Sequence, residues 1–453
     1  MLNSLRKIIS YDNPLRVFWH KINGVAAAVR YSFPGKKLVC IGVTGTNGKT
    51  TTAHMIEHIL HSAGKKVALM STVEFAMNGK HWANESKKTT LSPFKTQKFL
   101  RKCVKNGIEY VVIESSSHAL HQSRLWGIPF SIAAITNITH EHLDYHGTME
   151  KYAQAKKILF EIVSDVSRKK TFKAIRNIPH QNAFILNHAD QFYTDFNALK
   201  CLHKFAYGFK EGNLQAKKVT YEKYGSHFDL IYKKTNEDTR RKENSQFGEV
   251  SIVLKMTGSF NVENALAATG VGLACKLSLS EIKRGLESFD GVAGRMERIK
   301  SPKGFEVIVD FALTPDALEK LYSTLKKTSE GRLIGLIGSC GDRDKEKRPD
   351  MGKIVANYCD LTIVTDEEPY SEDPKQIMEA VLSGAKTVKT LGKDLLLIED
   401  RKEAMDYAIQ HAKKDDVVVV TGMGSFTTRT MNDGPMEWDD REVAKQLIHR
   451  YSG

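Results

Sequence analysis

The chain has 453 residues, 41% hydrophobic and 26% charged, the proportions of an ordinary water-soluble protein with room for two or three domains. No apolar run approaches the ~18 residues of a membrane-spanning helix, the N-terminus lacks a signal-peptide apolar core, and the six cysteines are scattered without a C-x-x-C pair, so no transmembrane helix and a reducing, cytoplasmic location are expected. A formal net charge of +14 points to acidic partners (nucleic acid, anionic lipid, or a substrate carrying phosphates and carboxylates), and the lack of helix-turn-helix, RNP-like or zinc-finger patterns argues against nucleic acid.

Residues 1–36 are too short for a domain. They hold Arg6, Lys7, Arg16, Lys21, Arg30 and Lys36 against Asp12, with Phe18, Trp19 and Tyr31 interleaved. Two readings stay open: a basic amphipathic segment in weak contact with an anionic membrane surface, or a helix packed on the body of the protein with its basic face in water. The apolar run Leu38–Val43 then enters Gly42–Thr52, which reads GVTGTNGKTTT. Strand, glycine-rich turn, Lys49 and Thr50, then a helical pattern is the order phosphate binding requires. Glycines let backbone N–H groups close around an anion, the helix N-terminus adds its positive dipole end, lysine adds a point charge, and a threonine hydroxyl can hold Mg²⁺. The loop is the short form Gly45-Thr46-Asn47-Gly48-Lys49-Thr50, because Val43 stands where the longer G-x-x-x-x-G-K-[ST] pattern has its first glycine. A bound nucleoside triphosphate is expected.

Further strand-like runs, Val67–Ser71, Tyr110–Glu114, Ile132–Thr136 and Ala183–Asn187, alternate with amphipathic stretches as far as about His203. That pattern predicts βαβ units and a mostly parallel sheet with helices on both faces. Glu114 follows its strand directly, in Glu114-Ser115-Ser116-Ser117-His118-Ala119-Leu120. At the carboxyl end of a strand it could bind a metal beside the phosphates or serve as a helix N-cap. The run Thr136–His146 packs three histidines and two acids into seven residues, His140 to His146. It does not make the zinc pattern H-E-x-x-H, since Asp144 stands where the second histidine belongs; magnesium with one histidine ligand near the triphosphate is the better reading. Residues Lys217–Leu254 read as β-ribbon, interrupted by the polar stretch Lys233–Gln246, a solvated hairpin tip. A helix-rich passage, Asn261–Phe289, ends at Asp290-Gly291, and beyond it Phe305–Val309, Leu333–Ile337, Leu361–Val364 and Val417–Thr421 predict a second α/β domain. The fold expected is α/β: a short basic segment over 1–36, a central P-loop ATPase domain with a mostly parallel sheet over 37–292, and a C-terminal Rossmann-like domain over 293–453.

Several motifs together resemble the Mur ligase family, and within it the tripeptide-synthetase (MurE-type) branch of peptidoglycan synthesis. They are Gly45–Thr51, the Glu114 run, His142-Leu143-Asp144-Tyr145-His146-Gly147-Thr148-Met149, and Tyr152-Ala153-x-Ala155-Lys156 with Leu159-Phe160. Further on come Gly258-Ser259-Phe260-Asn261-Val262-x-Asn264, Gly294-Arg295-Met296-Glu297, Asp310–Asp316, Gly341–Pro349 and Trp438–Ala444. The resemblance covers about residues 37–450. It implies an ATP-dependent amide ligase that phosphorylates a carboxylate of a UDP-linked or lipid-linked muropeptide and lets a free amino acid displace the phosphate. Charge is the main obstacle where polyphosphate meets carboxylate, and Lys49, Mg²⁺ and Arg343 would lower it. The resemblance further implies ATP and Mg²⁺ as cofactors, with Gly45, Thr46, Asn47, Gly48, Lys49, Thr50 and Thr51 around the phosphates. Thr50 and Glu114 would hold one Mg²⁺ and His142 a second, and Lys156 matches a lysine that is carbamylated, although by helical pattern alone it reads as an ordinary surface lysine. Asn264 matches an adenine-side residue, Asp310 and Arg295 match nucleotide contacts, and Thr89, Thr90, Ser116, His118 and Arg124 match muropeptide contacts. A monomer is expected.

Four departures qualify the match. About 36 residues stand where family members carry a UDP-binding domain, so that part is expected to be reduced or absent. The family run Asp-Asn-Pro-Arg, whose arginine grips the distal carboxylate of diaminopimelate, reads Glu367-Glu368-Pro369-Tyr370 here. Two acids suit an ammonium, which predicts a basic amino acid such as lysine over diaminopimelate. Gly-Lys-Gly-His-Glu reads Gly422-Met423-Gly424-Ser425-Phe426, and Leu313 replaces a histidine. A ligase for another carboxylate acceptor and a non-catalytic ATP-binding scaffold are the competing readings.

Overall fold

The structure is a computed structural model that describes residues 14–168, 178–180, 182–233 and 247–452. Arg6, Lys7, Asp12 and residues 234–246 of the expected hairpin tip lie outside the described residues. The chain divides into two compact units, the first comprising Met1–Thr220, Ser226–Lys255 and Phe260–Phe289, the second Tyr221–Gly225, Met256–Ser259 and Asp290–Gly453.

The first unit runs α1 (Pro14–Arg30), β1 (Val39–Thr44), α2 (Lys49–Ser62), β2 (Val67–Met70), β3 (Glu74–Met77), β4 (Lys80–Ala83), α3 (Pro93–Lys105), β5 (Tyr110–Glu114), α4 (Ser117–His121), β6 (Phe130–Ile135), α5 (Leu143–His146), α6 (Met149–Arg168), β7 (Ala183–Asn187), α7 (Tyr193–Asn197), β8 (His203–Gly208), β9 (Leu214–Glu222), β10 (Gly225–Lys233), β11 (Phe247–Leu254), α8 (Ser259–Ala274) and α9 (Leu279–Glu287). The strands form one sheet in the order β11-β10-β9-β8-β7-β6-β1-β5-β2-β3-β4. Its centre is parallel, β1 pairing with β5 and β6, β5 with β2, and β6 through β9 in succession. Both edges are antiparallel, through β10 with β11 and β2 with β3 with β4. The mostly parallel sheet expected from the alternation is therefore present, and the Lys217–Leu254 ribbon supplies one edge.

Every residue of β1, β5, β6 and β7 is buried, which is why these runs read as continuous apolar text rather than as alternation. Helix α6 lies so close to β1 that a Cβ at Gly42 would come within 2.6 Å of Leu159 Cδ1. Leu38, Cys40, Val111, Phe130, Leu159, Phe160 and Phe184 pack into one core there. Helix α9 starts at a reciprocal cap, Ser278 accepting from Glu281 N while the Glu281 carboxylate accepts from Ser278 N at 2.8 Å. This Ser-x-x-Glu spacing stops α8 and α9 from running together.

The second unit holds β12 (Glu297–Lys300), β13 (Glu306–Asp310), α10 (Pro315–Thr328), β14 (Leu333–Ile337), α11 (Lys347–Tyr358), β15 (Leu361–Val364), α12 (Pro374–Ala385), β16 (Leu395–Leu397), α13 (Arg401–Gln410), β17 (Val417–Thr421), the hairpin β18 (Thr428–Met431) and β19 (Gly434–Glu437), and α14 (Asp440–Ser452). Its main sheet has the order β12-β13-β17-β14-β15-β16, parallel except for the β12 edge. Residues alternate between two cores: Ile308, Val417 and Val419 meet Leu318, Tyr322 and Val355, while Val307, Val418 and Val420 meet Met405, Ala408 and Leu447. Helices therefore cover both faces. Thr314, Asp373 and Asp400 cap α10, α12 and α13 by accepting backbone N–H groups, and Pro315 and Pro374 occupy first-turn positions where a missing N–H costs nothing.

Candidate active site

The turn between β1 and α2 has a conformation that only its own residues allow. Gly45 and Gly48 have φ of +141° and +82°, and a Cβ would come within 1.9 Å of Thr136 Oγ1 at the first and 2.3 Å of Asn264 Oδ1 at the second. Glycine is required at both on two counts, the backbone region and the space. The loop is fastened to the segment after β6. Thr46 N donates to Asn137 O (2.7 Å), Asn47 N to Asn137 Oδ1 (3.0 Å), and Thr136 Oγ1 to Asn47 O (2.6 Å). Thr46 Oγ1 accepts from Thr139 N (3.0 Å) and lies 3.2 Å from Tyr152 OH. Lys49 Nζ donates to Thr46 O (2.7 Å), which holds its charge over the loop at the helix N-terminus. Thr51 is buried beside it in the first turn of α2. Asn264, on α8, is buried against Gly48 and accepts from Thr52 Oγ1 at 3.2 Å. It braces the loop from below.

Glu114, at the end of β5, is 1% exposed. Its Oε1 accepts from Thr50 Oγ1 (3.0 Å), and its Oε2 from Thr72 N (2.8 Å) and Thr72 Oγ1 (3.0 Å). Of the two roles open to it, the helix cap falls away, because Ser116 caps α4 by accepting from Ala119 N. Thr72 Oγ1 also lies 3.0 Å from Thr89 Oγ1. Thr90 Oγ1 donates to Glu114 O (2.9 Å), Ser116 N to Thr90 Oγ1 (3.1 Å), and Arg124 Nη1 to Thr90 O (3.2 Å). Burial lowers the Arg124 pKa from its ordinary value. Thr89 thus reaches the Glu114 carboxylate through Thr72, while Ser116 and Arg124 are tied to the Glu114 backbone through Thr90. Thr72 and Asn137 were not singled out in the sequence, although each follows a buried strand at its carboxyl end, the place where α/β sheets collect ligands.

The two histidine-bearing motifs meet. The His118 ring stands 4.7 Å from His142 at 89° and 4.1 Å from Tyr145, while His146 Nε2 lies 3.0 Å from Ser117 Oγ and Tyr145 OH 3.0 Å from His121 Nδ1. His142 has a φ of +57° at the start of α5, its Nδ1 3.9 Å from Glu141 Oε1. Its ring centre is 6.2 Å from that of Tyr152, which bonds the phosphate loop.

Lys156 corrects an expectation. By pattern it was a surface lysine, yet it is 1% exposed, its Nζ donating to Gly45 O (2.7 Å) and lying 4.1 Å from the centre of the Tyr152 ring. The reason is that α6 lies against β1, so the helix position that faces the loop is sealed by it. Burial, and next the charge of Lys49, drive the Lys156 pKa well below its ordinary value.

The residues present fit magnesium. Among the described residues no three His, Cys, Asp or Glu side chains converge on one point, so the protein alone makes no closed cage. One carboxylate oxygen beside one hydroxyl, at a phosphate loop, is the donor set of an ion that keeps waters and takes its remaining ligands from substrate phosphates.

In the second unit, Asp310 Oδ2 and Oδ1 accept from Met296 N and Ala312 N, each at 2.7 Å. Burial raises its pKa while the charge of Arg295 opposes the rise. The Arg295 guanidinium lies 4.2 Å from the centre of the Phe311 ring. Arg343 sits on the exposed loop before α11, 5.7 Å from the centre of the Tyr370 ring. The structure separates the two acids of Glu367-Glu368. Glu368 Oε1 accepts from Thr430 N (2.8 Å) and so holds the β18–β19 hairpin. Glu367 Oε1 accepts from Cys340 Sγ (3.0 Å), but its Oε2 is buried without a hydrogen-bond partner. Burial raises the Glu367 pKa, Arg401 partly offsetting it. Gly422 packs against this oxygen, since a Cβ there would fall 2.0 Å from Glu367 Oε2. Around it, Arg401 pairs with Asp440 (2.7 Å) and Arg429 with Asp366 (2.6 Å), so both arginines are already compensated.

Comparison with known proteins shows the family. Residues 43–272 match the Mur ligase middle domain and residues 294–424 the Mur ligase glutamate ligase domain. A Bacillus licheniformis protein named UDP-N-acetylmuramoyl-L-alanyl-D-glutamate--2,6-diaminopimelate ligase is 35% identical over 443 residues, 97% of this chain and 85% of that one. A UDP-N-acetylmuramyl-tripeptide synthetase from Roseiflexus sp. is 36% identical over 428 residues, 93% of this chain and 81% of its own. A solved diaminopimelate ligase structure of the same name as the Bacillus protein superposes with a TM-score of 0.60 at 28% identity, covering 92% of this chain and 79% of that one. Mycobacterium tuberculosis folylpolyglutamate synthase complexed with ADP shares the fold, with a TM-score of 0.68 at 16% identity over 88% of this chain and 91% of that one. Among the described residues no helix is long and apolar enough to cross a membrane. With its phosphate loop, buried acid and histidine motifs assembled in one unit and both domain matches in sequence order, the chain belongs to the Mur ligase family and is an ATP-dependent amide ligase.

Proposed function

We propose that the chain joins a basic amino acid, lysine, to the peptide carboxylate of a UDP-linked N-acetylmuramoyl dipeptide, with ATP and Mg²⁺, as a monomer in cytoplasmic peptidoglycan precursor synthesis. The observation that carries the reading is the pair Thr50 Oγ1 and Glu114 Oε1, 3.0 Å apart, beside Lys49 on the phosphate loop. A carboxylate is a poor electrophile, so its oxygen first takes the γ-phosphoryl group and ADP departs. The amine then attacks the acyl carbon, inorganic phosphate leaves with the C–O electron pair, and the amine loses a proton. Lys49 and the loop N–H groups offset the negative charge that gathers between polyphosphate and carboxylate. Mg²⁺, when held by Thr50 and Glu114, supplies further positive charge there, and His142 is the residue on the opposite motif suited to a second ion. The depressed pKa of Lys156 favours the neutral amine, the form that combines with CO₂, and so supports the carbamylation the family resemblance implies.

For the amino acid, the supporting feature is Glu367 Oε2, buried and without a partner. An ammonium would satisfy it. Tyr370 offers no cation for a distal carboxylate, which would instead meet Glu367; the diaminopimelate named for the relatives is therefore the arm to test against. Phosphate release is to be measured with UDP-linked and lipid-linked muramoyl dipeptide against the standard amino acids and diaminopimelate, with Lys49→Ala as control. Lysine-dependent release at least roughly tenfold above diaminopimelate is expected, a ratio within reach of one buried charge pair. Preference for diaminopimelate overturns the lysine assignment, and no release with any pair overturns the ligase reading.

A further inference from the structure

Helix α1 is apolar on two sides. Gly24, Ala27 and Ala28 are buried on the inner side, where a Cβ at Gly24 would come within 2.6 Å of Ser123 O. The outer side carries Phe18, Trp19, Ile22 and Val29, exposed by 62%, 61%, 41% and 59%. At 3.6 residues per turn Phe18, Ile22 and Val29 fall on one line with Trp19 beside it. Small residues inside and large ones in water reverse the usual arrangement of a helix on a soluble body. Lys21 flanks this stripe on one edge and Arg30 on the other, both exposed. Helix α3, which packs against α1, repeats the theme, exposing Phe94 by 42% together with Lys95, Lys98, Lys102 and Lys105. The two helices hold eight Lys or Arg residues and no Asp or Glu.

We infer that α1 and α3 form a docking surface for a bilayer of anionic phospholipid. Large apolar side chains between cations are what an interfacial helix inserts at the headgroup boundary, and the one-signed charge complements an anionic leaflet. Duplex nucleic acid, whose bases are already stacked, would account for the cations but not for the exposed aromatic pair. None of these residues belongs to the phosphate loop or its acid, so this surface stands apart from the lysine assignment and from the chemistry.

The test is co-sedimentation of the full chain with vesicles of phosphatidylglycerol and phosphatidylcholine, against vesicles of phosphatidylcholine alone. Binding is expected only to the anionic vesicles, and it should weaken roughly fivefold for each cation removed or screened, the factor of one surface lysine or arginine. The variant Phe18→Ser/Trp19→Ser/Ile22→Ser and the variant Lys21→Glu/Arg30→Glu should each lose binding by roughly tenfold or more while retaining ATP binding. Equal binding to neutral vesicles, or undiminished binding by either variant, overturns the inference. So does self-association that the serine variant abolishes, which assigns the stripe to a second copy, or capture of duplex DNA without vesicle binding. If the serine variant loses ATP binding and hence its fold, the charge variant and the salt dependence of the unaltered chain decide the question.

Discussion

Replacing Glu114 by glutamine separates what holds the fold from what serves the phosphates. The carboxylate accepts from Thr72 N and Thr72 Oγ1 through Oε2 and from Thr50 Oγ1 through Oε1. Thr72 N cannot reorient, so the amide oxygen of glutamine must take the Thr72 side and keep two bonds. The amide nitrogen then faces Thr50 Oγ1, and that hydroxyl can turn its proton away and accept. All protein partners stay satisfied, so unfolding in urea should show a loss of only about 0 to 1 kcal/mol. Glu114→Ala instead leaves a buried N–H unpaired and opens a void, for a loss of about 2 to 5 kcal/mol. Catalysis is a separate matter: glutamine removes the anion and turns a donor toward the place proposed for the metal, so phosphate release should fall roughly 10²- to 10³-fold even at saturating ATP. Glutamine and alanine variants with equal losses of stability would refute the hydrogen-bond argument. A glutamine variant within about threefold of the parent rate across Mg²⁺ concentrations would refute the metal role.

Lys156→Met should abolish phosphate release while leaving the protein folded, and the same variant tests the buried amine. A lysine whose folded pKa lies below its ordinary 10.5 binds fewer protons folded than unfolded, so in carbonate-free buffer the unfolding free energy of the parent should rise as pH climbs toward 10.5. The methionine variant should lack that slope, and equal slopes in urea titrations would count against desolvation of this amine. Glu367→Gln should raise the KM for lysine roughly tenfold or more with the KM for ATP unchanged. Because burial raises the pKa of this carboxyl, lysine affinity in the parent should strengthen as pH rises through it; a lysine KM indifferent to both substitution and pH would remove Glu367 from the pocket. Gly48→Ala puts a Cβ 2.3 Å from Asn264 Oδ1 at a φ of +82°, and left-handed strain plus overpacking should cost about 2 to 5 kcal/mol in urea unfolding. A loss under about 1 kcal/mol would show that the loop relaxes freely.

Much of the first unit was legible because its buried parallel strands must be continuous apolar runs. Tyr110–Glu114 and Ala183–Asn187 match the strands residue for residue, and Leu38–Val43 and Ile132–Thr136 are displaced from theirs by at most two residues. The phosphate loop was legible for a different reason: Gly45 and Gly48 answer a local demand for positive φ, and a local demand is met by residue type at that position. The Ser278–Glu281 cap is of the same kind.

Lys156 shows the limit. Its neighbours along α6 describe an amphipathic helix, but whether a given position meets water or a loop from more than a hundred residues earlier depends on how α6 lies across β1. Thr72 and Asn137 were missed for the same reason: each is an ordinary polar residue until the sheet sets it beside Glu114 or the loop. Likewise Glu367 and Glu368 are equivalent in the text, and only the β18–β19 hairpin, by taking Glu368, leaves Glu367 with a free oxygen. Local backbone geometry and strand burial are written in adjacent residues, which is why the loop, the strands and the family could be read from the amino acids alone. Burial, pairing and proton affinity arise between residues far apart in the chain, so the desolvation of Lys156 and the buried, unpartnered oxygen of Glu367 come from the packing of distant segments.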